Sequence, residues 1–325
     1  MYLAQLNITN FRKLKSIELQ FRPGLNIIVG ANNVGKTAIV DALRALLAGH
    51  DEPYPRFDTN DLHCPKGGIP AGEISFHYIF KGLDADDEAD FLPALKPDTS
   101  GNLEAHITVR YSDADKAGRF RIKRWCGDHE DVGLTSDMAE NLRGVYLPPL
   151  RDASQGLKPS RTSQLSRLFR LLTDKDGQDG INSALKKLDD ELKTQPPVIS
   201  THSAIHTRHN TMLGSALAQA LEIDLSASDF QRLASRLSLL ADTFDIEQNG
   251  LGFNNLIYMA VVLSELAINP DASYRSLIVE EPEAHLHPQL QAILLRYLES
   301  IHAANGEKPV QLFLTSHSPN FASIA

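Results

Sequence analysis

One stretch of eight residues constrains this chain more than any other. Gly30-Ala31-Asn32-Asn33-Val34-Gly35-Lys36-Thr37 has the form G-x-x-x-x-G-K-[ST]. Such a loop wraps phosphate. Its backbone N–H groups turn inward, glycine permits the tight curve, and the helix that follows aims its N-terminus at the anion. Lys36 is expected to bridge the β- and γ-phosphates and Thr37 to ligate Mg²⁺, with Asn32, Asn33, Val34, Gly35 and Ala38 completing the cradle. The flanks suit this reading. Leu25–Val29 is a short apolar run, as in a strand buried on both faces. Residues 38–48 carry Ile39, Val40, Leu43, Leu46 and Leu47 at helical spacing. A glycine-rich surface turn is the competing reading, and it explains neither flank.

A second apolar strand, Ser276–Val279, runs into Glu280, Glu281, Pro282 and Glu283. Adjacent carboxylates repel unless a cation compensates. At a strand end beside a phosphate loop, Glu280 is expected to hold Mg²⁺ or its water. Glu281 is expected to orient or deprotonate the attacking water. His317, in Thr315-Ser316-His317-Ser318-Pro319, follows a strand at 310–315 and can reach the γ-phosphate from the same sheet. The bland alternatives are a solvated acidic patch and a structural histidine. The phosphate loop upstream weighs against both.

These motifs are embedded in an α/β chain of 325 residues, long enough for two domains or for one with an insertion. Residues 1–150 hold the phosphate loop and a set of alternating strands at 2–9, 15–21, 72–80, 103–111, 118–126 and 143–148. The acidic stretch between the strands at 72–80 and 103–111 reads as a surface connection. Over 151–245 strand signals vanish, and residues 161–173, 180–193, 211–222 and 228–241 have helical spacing, so this part reads as a helical insertion. Residues 246–325 return to α/β with helices at 253–268 and 288–303, and the stop at Ala325 reads as the end of a fragment. The net charge of −9 argues against a globally basic nucleic-acid binder, leaving only a strip at Arg110, Arg119, Arg121, Lys123 and Arg124 that could meet DNA phosphates. Two cysteines without a CxxC give no basis for a zinc site, and no signal peptide or uninterrupted membrane-length run is seen, so a cytoplasmic protein is expected.

Taken in order, Ile8-Thr9-Asn10-Phe11-Arg12, the phosphate loop, Glu280-Glu281-Pro282-Glu283-Ala284-His285-Leu286-His287-Pro288 and Thr315–Pro319 resemble the ATPase domain of the OLD (overcoming lysogenization defect) family. That family is related to RecF and the SMC proteins within the ABC ATPases. The usual Asp-Glu of an ABC strand end is here Glu280-Glu281, as in the OLD group. The resemblance implies an ABC-type (SMC/RecF-like) ATPase head with an antiparallel β-lobe, and an inserted helical region that serves dimerisation. It implies that Arg12 lies near the phosphates and that Ala284–Pro288 is the D-loop at the dimer partner. Asn249–Asn255 would be the signature segment, with Gly250, Gly252 and either Asn254 or Asn255 meeting the partner's nucleotide. Its departure from LSGGQ lies in having no serine before the glycines. Gln155 is the Q-loop residue expected beside the metal, with Gln164 as the alternative. OLD proteins also carry a Toprim nuclease domain, for which nothing after His317 provides carboxylates.

Other clusters yield less. His202, His206 and His209 read as solvated helix histidines, because no H-E-x-x-H accompanies them. Asp58, Asp61 and His63 form a suggestive group with no role assigned. The expectation is an ATP- and Mg²⁺-dependent ATPase that dimerises head to tail and sandwiches ATP. Its nucleotide state would gate DNA cleavage by a Toprim domain outside this chain, in defence against phage. Nuclease activity is not expected from these residues alone. The alternatives are a RecF/SMC-like DNA-repair ATPase, a transporter's nucleotide-binding subunit, and a nucleotide-binding interaction module with negligible turnover.

Overall fold

The N-terminal alternation becomes strand β1 (Tyr2–Phe11), with Leu3, Leu6 and Ile8 fully buried. A turn at Arg12-Lys13 returns the chain as β2 (Leu14–Gln20), antiparallel, with Phe11 opposite Leu14. Then come β3 (Leu25–Val29), α1 (Lys36–Leu47), β4 (Ile74–Lys81), α2 (Ala85–Asp90), β5 (Leu95–Pro97), β6 (Leu103–Ser112), β7 (Arg121–Cys126), α3 (Ser136–Glu140) and β8 (Leu142–Leu147). The polar middle of the chain forms α4 (Gln164–Leu172), α5 (Lys175–Lys193), α6 (Pro196–Leu213), α7 (Phe230–Ala234), β9 (Leu240–Ala241) and β10 (Phe244–Asp245). The chain ends with α8 (Leu251–Ile268), β11 (Tyr274–Glu280), α9 (Pro288–Ser300) and β12 (Gln311–Ser316).

This computed structural model describes all residues except 32–33, 49–52, 150–155, 214–218, 225–228, 242–243, 249, 270–271, 285, 302–306, 319–320, 322 and 324–325. It divides into two compact units, one formed by Met1–Ala153 with Gly250–Ala325, the other by Ser154–Asn249.

In the first unit, among the described residues, parallel and antiparallel strands are kept in separate sheets. The antiparallel sheet runs β2-β1-β4-β6-β5, with β7 also paired to β6; the parallel sheet runs β3-β12-β11-β8. Every residue of β11 and β12 is buried, and each strand carries an apolar run at its centre, Leu277–Val279 and Leu312–Leu314, with polar residues at its ends. Alternation then divides them between two cores. Ile278 and Phe313 join α1 and the antiparallel sheet, while Leu277, Val279, Leu312 and Leu314 join α8 and α9. α8 has the length and apolar composition of a membrane span, but its Met259, Val262, Leu263 and Leu266 belong to that second core. Gly144 allows β8 to pass the end of α1, because a Cβ there would lie 2.0 Å from the Leu47 carbonyl oxygen. The parallel register puts the C-terminal ends of β3, β11 and β12 side by side, and the motif residues stand at those ends.

The second unit is built on capped helices. Ser163 and Asp174 accept from backbone N–H groups at the starts of α4 and α5. Phe169 stacks on Phe230, with ring centroids 5.3 Å apart, and Ser166 Oγ donates to the Ala234 carbonyl at 2.7 Å.

Three expectations are corrected. The acidic stretch after β4 contains α2 and β5, and Asp84 and Asp87 form a capping box at the start of α2. Of the helix expected at 211–222, residues 211–213 are the end of α6, which starts at Pro196, residues 214–218 lie outside the described residues, and 219–222 form no element. The helix expected at 228–241 shrinks to α7, followed by the β9–β10 pair.

Candidate functional site

Residues far apart in sequence meet where β3, β11 and β12 end. The turn after β3 closes at Gly35, which has φ 113° and serves as the N-cap of α1. An L-residue rarely adopts that conformation. A cavity of about 530 Å³ opens here. Gly35, Lys36, Thr37 and Ala38 line one side, Glu280, Glu281 and His317 another, and Arg12 a third. Sequence reasoning singled out all eight. Lys13 and Thr315, which it did not single out, complete the wall.

Lys36 is 8% exposed. Its Nζ donates to the carbonyls of Gly30 at 2.6 Å and Ala31 at 2.9 Å and reaches His317 Nδ1 at 3.2 Å. An ammonium can only donate, so Nδ1 accepts and the imidazole proton resides on Nε2. That nitrogen lies 3.2 Å from Glu281 Oε1. Lys36, His317 and Glu281 therefore form one hydrogen-bonded line across the cavity. Glu281 has φ 48°, and its N–H donates to the Thr315 carbonyl at 2.9 Å, a bend that turns its carboxylate toward His317.

Glu280 is more enclosed, at 7% exposed. Burial, first of all, pushes its pKa up, and the nearby carboxylates Asp41 and Glu281 add to this. The Tyr146 hydroxyl opposes it by donating to Oε1 at 2.9 Å. The Arg44 guanidinium lies over the Tyr146 ring, 3.9 Å from its centroid. Asp41 joins Arg44 at 3.1 Å to Arg12 at 2.7 Å.

Arg12, at φ 48°, donates through Nε to Asp61 at 2.8 Å, while its carbonyl accepts from His63 Nδ1 at 2.9 Å. Asp58 and Asp61 form a capping box on the short 3-10 turn Thr59–Asp61. The Asp58–Asp61–His63 group thus has a structural role: it holds Arg12 at the cavity wall.

Other expected site residues are not brought together here. Asn32, Asn33 and Gln155 lie outside the described residues, as does His285 of the segment expected to be the D-loop. Val34 is 52% exposed and does not line the cavity. Gln164 belongs to the second unit, at the start of α4. Gly250 is the N-cap of α8, with no side-chain cap. Neither it nor Gly252 nor Asn254 lines the Lys36 cavity of its own chain. Asn254 and Asn255 are 1% and 2% exposed, so they do not present a side chain outward as expected, while Leu251 and Phe253 are about half exposed. The basic strip is largely neutralised: Arg110 pairs with Glu73 and Glu130, Lys123 with Glu130, and Arg119 with Asp115. His202 stacks on His206 along α6, and among the described residues no group of three or more His, Cys, Asp or Glu is arranged to hold a metal.

The family described as "AAA domain, putative AbiEii toxin, Type IV TA system" matches residues 25–323. The chain belongs to this AAA-domain family. It is 26% identical to the OLD nuclease of Thermus scotoductus, over 99% of this chain and 60% of that protein. It is 21% identical to endonuclease GajA of Bacillus cereus, over 98% of this chain and 58% of that protein. The resemblance to the OLD family thus runs the length of the chain, which spans about three-fifths of each relative. A solved SMC head, bound to the C-terminal winged-helix domain of ScpA, superposes with a TM-score of 0.57 at 18% identity, covering 100% of this chain and 92% of that one. The fold is that of an ABC-type ATPase head, and the AAA-domain chain is an ATPase-type, nucleotide-binding module.

Sequence reasoning missed Tyr146, Asp41 and Glu283. Glu283 Oε1 accepts from Ser316 Oγ at 2.6 Å and from the N–H groups of His317 and Ser318 at 3.0 and 3.2 Å. Only the Glu283 position had a signal, as the last carboxylate of Glu280-Glu281-Pro282-Glu283.

The donors also bear on Mg²⁺. The Thr37 hydroxyl is on an exposed residue and the Glu280 carboxylate is buried, and both border one cavity. Two hard oxygen donors on an otherwise open site fit an ion that takes few protein ligands and draws the rest from water and phosphate. A buried carboxylate whose charge burial disfavours also fits a cation neighbour.

Proposed function

We propose that this AAA-domain chain binds and hydrolyses ATP as the motor of an OLD-type nuclease. Its nucleotide state would gate DNA cleavage by a Toprim domain outside these 325 residues, in a cytoplasmic defence against phage. The observation that carries the catalytic part is the line Lys36–His317–Glu281 across one cavity, flanked by Thr37 and Glu280.

In this reading the phosphates draw Lys36 off the Gly30 and Ala31 carbonyls and onto the β- and γ-oxygens, which are stronger acceptors. His317, held between Lys36 and Glu281, senses the γ-phosphate from its place in the line. Glu281, at the far end of the line, accepts a proton from the water that attacks the γ-phosphorus while the bond to the β-phosphate oxygen breaks. Thr37 and Glu280 would hold Mg²⁺, which when bound neutralises charge on the phosphates. Arg12, fixed by Asp41 and Asp61, offers its remaining N–H groups to the phosphates.

A second copy closes the site. Because Asn254 is buried, the closing donors in this reading are backbone N–H groups at the start of the partner's α8, where a Cβ at Gly250 would meet nothing within 4 Å. The helices of Ser154–Asn249 supply the rest of the dimer contact in this reading.

Lys36→Ala tests the ATP site. Equilibrium binding of ATP should weaken by about 100-fold or more, the scale of two lost charge-assisted bonds. Unchanged affinity would remove the basis of the assignment.

A further inference from the structure

We propose that Glu283 is the positioning residue for His317, setting the imidazole between Lys36 and Glu281. This rests on the ATP-site reading above and gives Glu283 a role distinct from those proposed for Glu280 and Glu281.

The argument begins with donors and acceptors. Three donors converge on Glu283 Oε1: Ser316 Oγ at 2.6 Å, His317 N–H at 3.0 Å and Ser318 N–H at 3.2 Å. Its Oε2 is buried and has no hydrogen-bond partner among the described residues. Every hydrogen bond recorded to this carboxylate therefore comes from the segment Ser316–Ser318 after the ladder of β12, through Oε1. Bonds to an ionised acceptor are about twice as strong as neutral ones, and two consecutive backbone donors fix the backbone on both sides of His317. A second brace comes from α9, where the Ser318 hydroxyl donates to Gln291 Oε1 at 3.2 Å.

The side chain is not needed to form its own turn. Backbone bonds already close that segment, from Ala284 N–H to the Glu281 carbonyl at 2.9 Å and from Leu286 N–H to the Glu283 carbonyl at 3.0 Å. The ladder of β12 ends at Ser316, so beyond that residue Glu283 takes over from the sheet. The ring has little tolerance. Its two nitrogens each sit 3.2 Å from a partner, Lys36 on one side and Glu281 on the other. A loop displacement of about 1 Å breaks one contact, and misplacements of that size cost up to about 100-fold in rate.

The experiment compares wild type with Glu283→Gln, Ser316→Ala, His317→Ala and the double variant Glu283→Gln/His317→Ala. Turnover, ATP affinity and the ¹⁵N spectrum of the imidazoles are measured, with the His317 signal assigned by its loss in His317→Ala. Glu283→Gln keeps the shape and removes the charge, and Ser316→Ala removes one donor while leaving Glu283 in place. The expected result is ATP affinity within about 2-fold of wild type and kcat lowered about 10- to 100-fold in Glu283→Gln, with a smaller loss in Ser316→Ala. The double variant should be no slower than His317→Ala. The Nε2–H tautomer of His317 should give way to a mixture. Losses that multiply in the double variant, a wild-type rate in Glu283→Gln, or an unchanged His317 signal would each overturn the proposal. The spectrum decides even where basal turnover is below detection. If His317→Ala turns over at the wild-type rate, the ATP-site reading fails, and the imidazole signal still reports whether Glu283 positions the ring.

Discussion

Replacing Glu280 by Gln should raise the stability of the nucleotide-free chain while removing its response to Mg²⁺-ATP. Glu280 is 7% exposed, and burial is the largest of the influences that raise its pKa above the ordinary value of 4.5. The sign follows from linkage. The folded chain binds this proton more tightly than the unfolded chain. The stability that protonation adds is complete below the ordinary value and is lost as pH rises through the raised one. At neutral pH the ionised carboxylate therefore costs stability. Gln keeps the shape and still accepts from the Tyr146 hydroxyl, now 2.9 Å from Oε1, without the charge. Removing such a functional-site liability is worth about 0.5–2 kcal/mol. At about 2–4 °C per kcal/mol, Tm should rise by about 1–8 °C at pH 7.5. At pH 4 the two proteins should converge. Saturating Mg²⁺-ATP should invert the order, because only wild type gains from a neutralising cation. Thermal melts at both pH values, with and without Mg²⁺-ATP, make the comparison. A lower Tm for Glu280→Gln at pH 7.5 without nucleotide would refute the reasoning, since the carboxylate would then be stabilising through Tyr146.

Two further predictions concern the scaffold. Gly144→Ala places a Cβ 2.0 Å from the Leu47 carbonyl oxygen and should cost about 3 kcal/mol or more in urea unfolding; a loss below about 1 kcal/mol would mean that β8 does not pass α1 so closely. His77, on β4 beside His106 at 3.1 Å, has its pKa lowered to about 4, by burial first and then by His106 and Lys96. Because the folded value is depressed, this residue's contribution is complete above about 6.5 and is lost as pH falls toward 4, by up to about 3 kcal/mol; His77→Asn should flatten that part of the stability–pH curve, and an unchanged slope would count against the buried pair.

What could be read from the sequence depended on whether local pattern or long-range pairing did the work. The phosphate loop, β11 with its two carboxylates and β12 with His317 were legible because each is a short apolar strand running directly into polar chemistry. Their convergence followed from parallel pairing alone. The Tyr146–Glu280 bond spans 134 residues, and nothing near either residue signals the other. The same holds for Arg12 with Asp41 and Asp61, where a turn residue at positive φ meets one carboxylate on α1 and another on a 3-10 turn. α6 was hidden for a different reason: it buries no residue, so it has no apolar stripe to betray it, and its two leading prolines resemble a breaker although the first turn of a helix tolerates them. α2 was read as a loop because its start is acidic, yet acidic residues at a helix N-terminus complement the dipole. The inward turn of Asn254 depends on which face of α8 packs against β11, and in a helix apolar on most sides the sequence does not specify that face.

The most direct test of the central claim is the rate of ATP hydrolysis by this chain and by Glu281→Gln, measured across a range of protein concentrations. The account predicts a wild-type rate that rises faster than linearly with concentration, because two copies share each site, and a loss of about 100-fold or more in the variant with ATP affinity retained. Wild-type turnover in Glu281→Gln would contradict the account and put the catalytic base outside the Lys36–His317–Glu281 line.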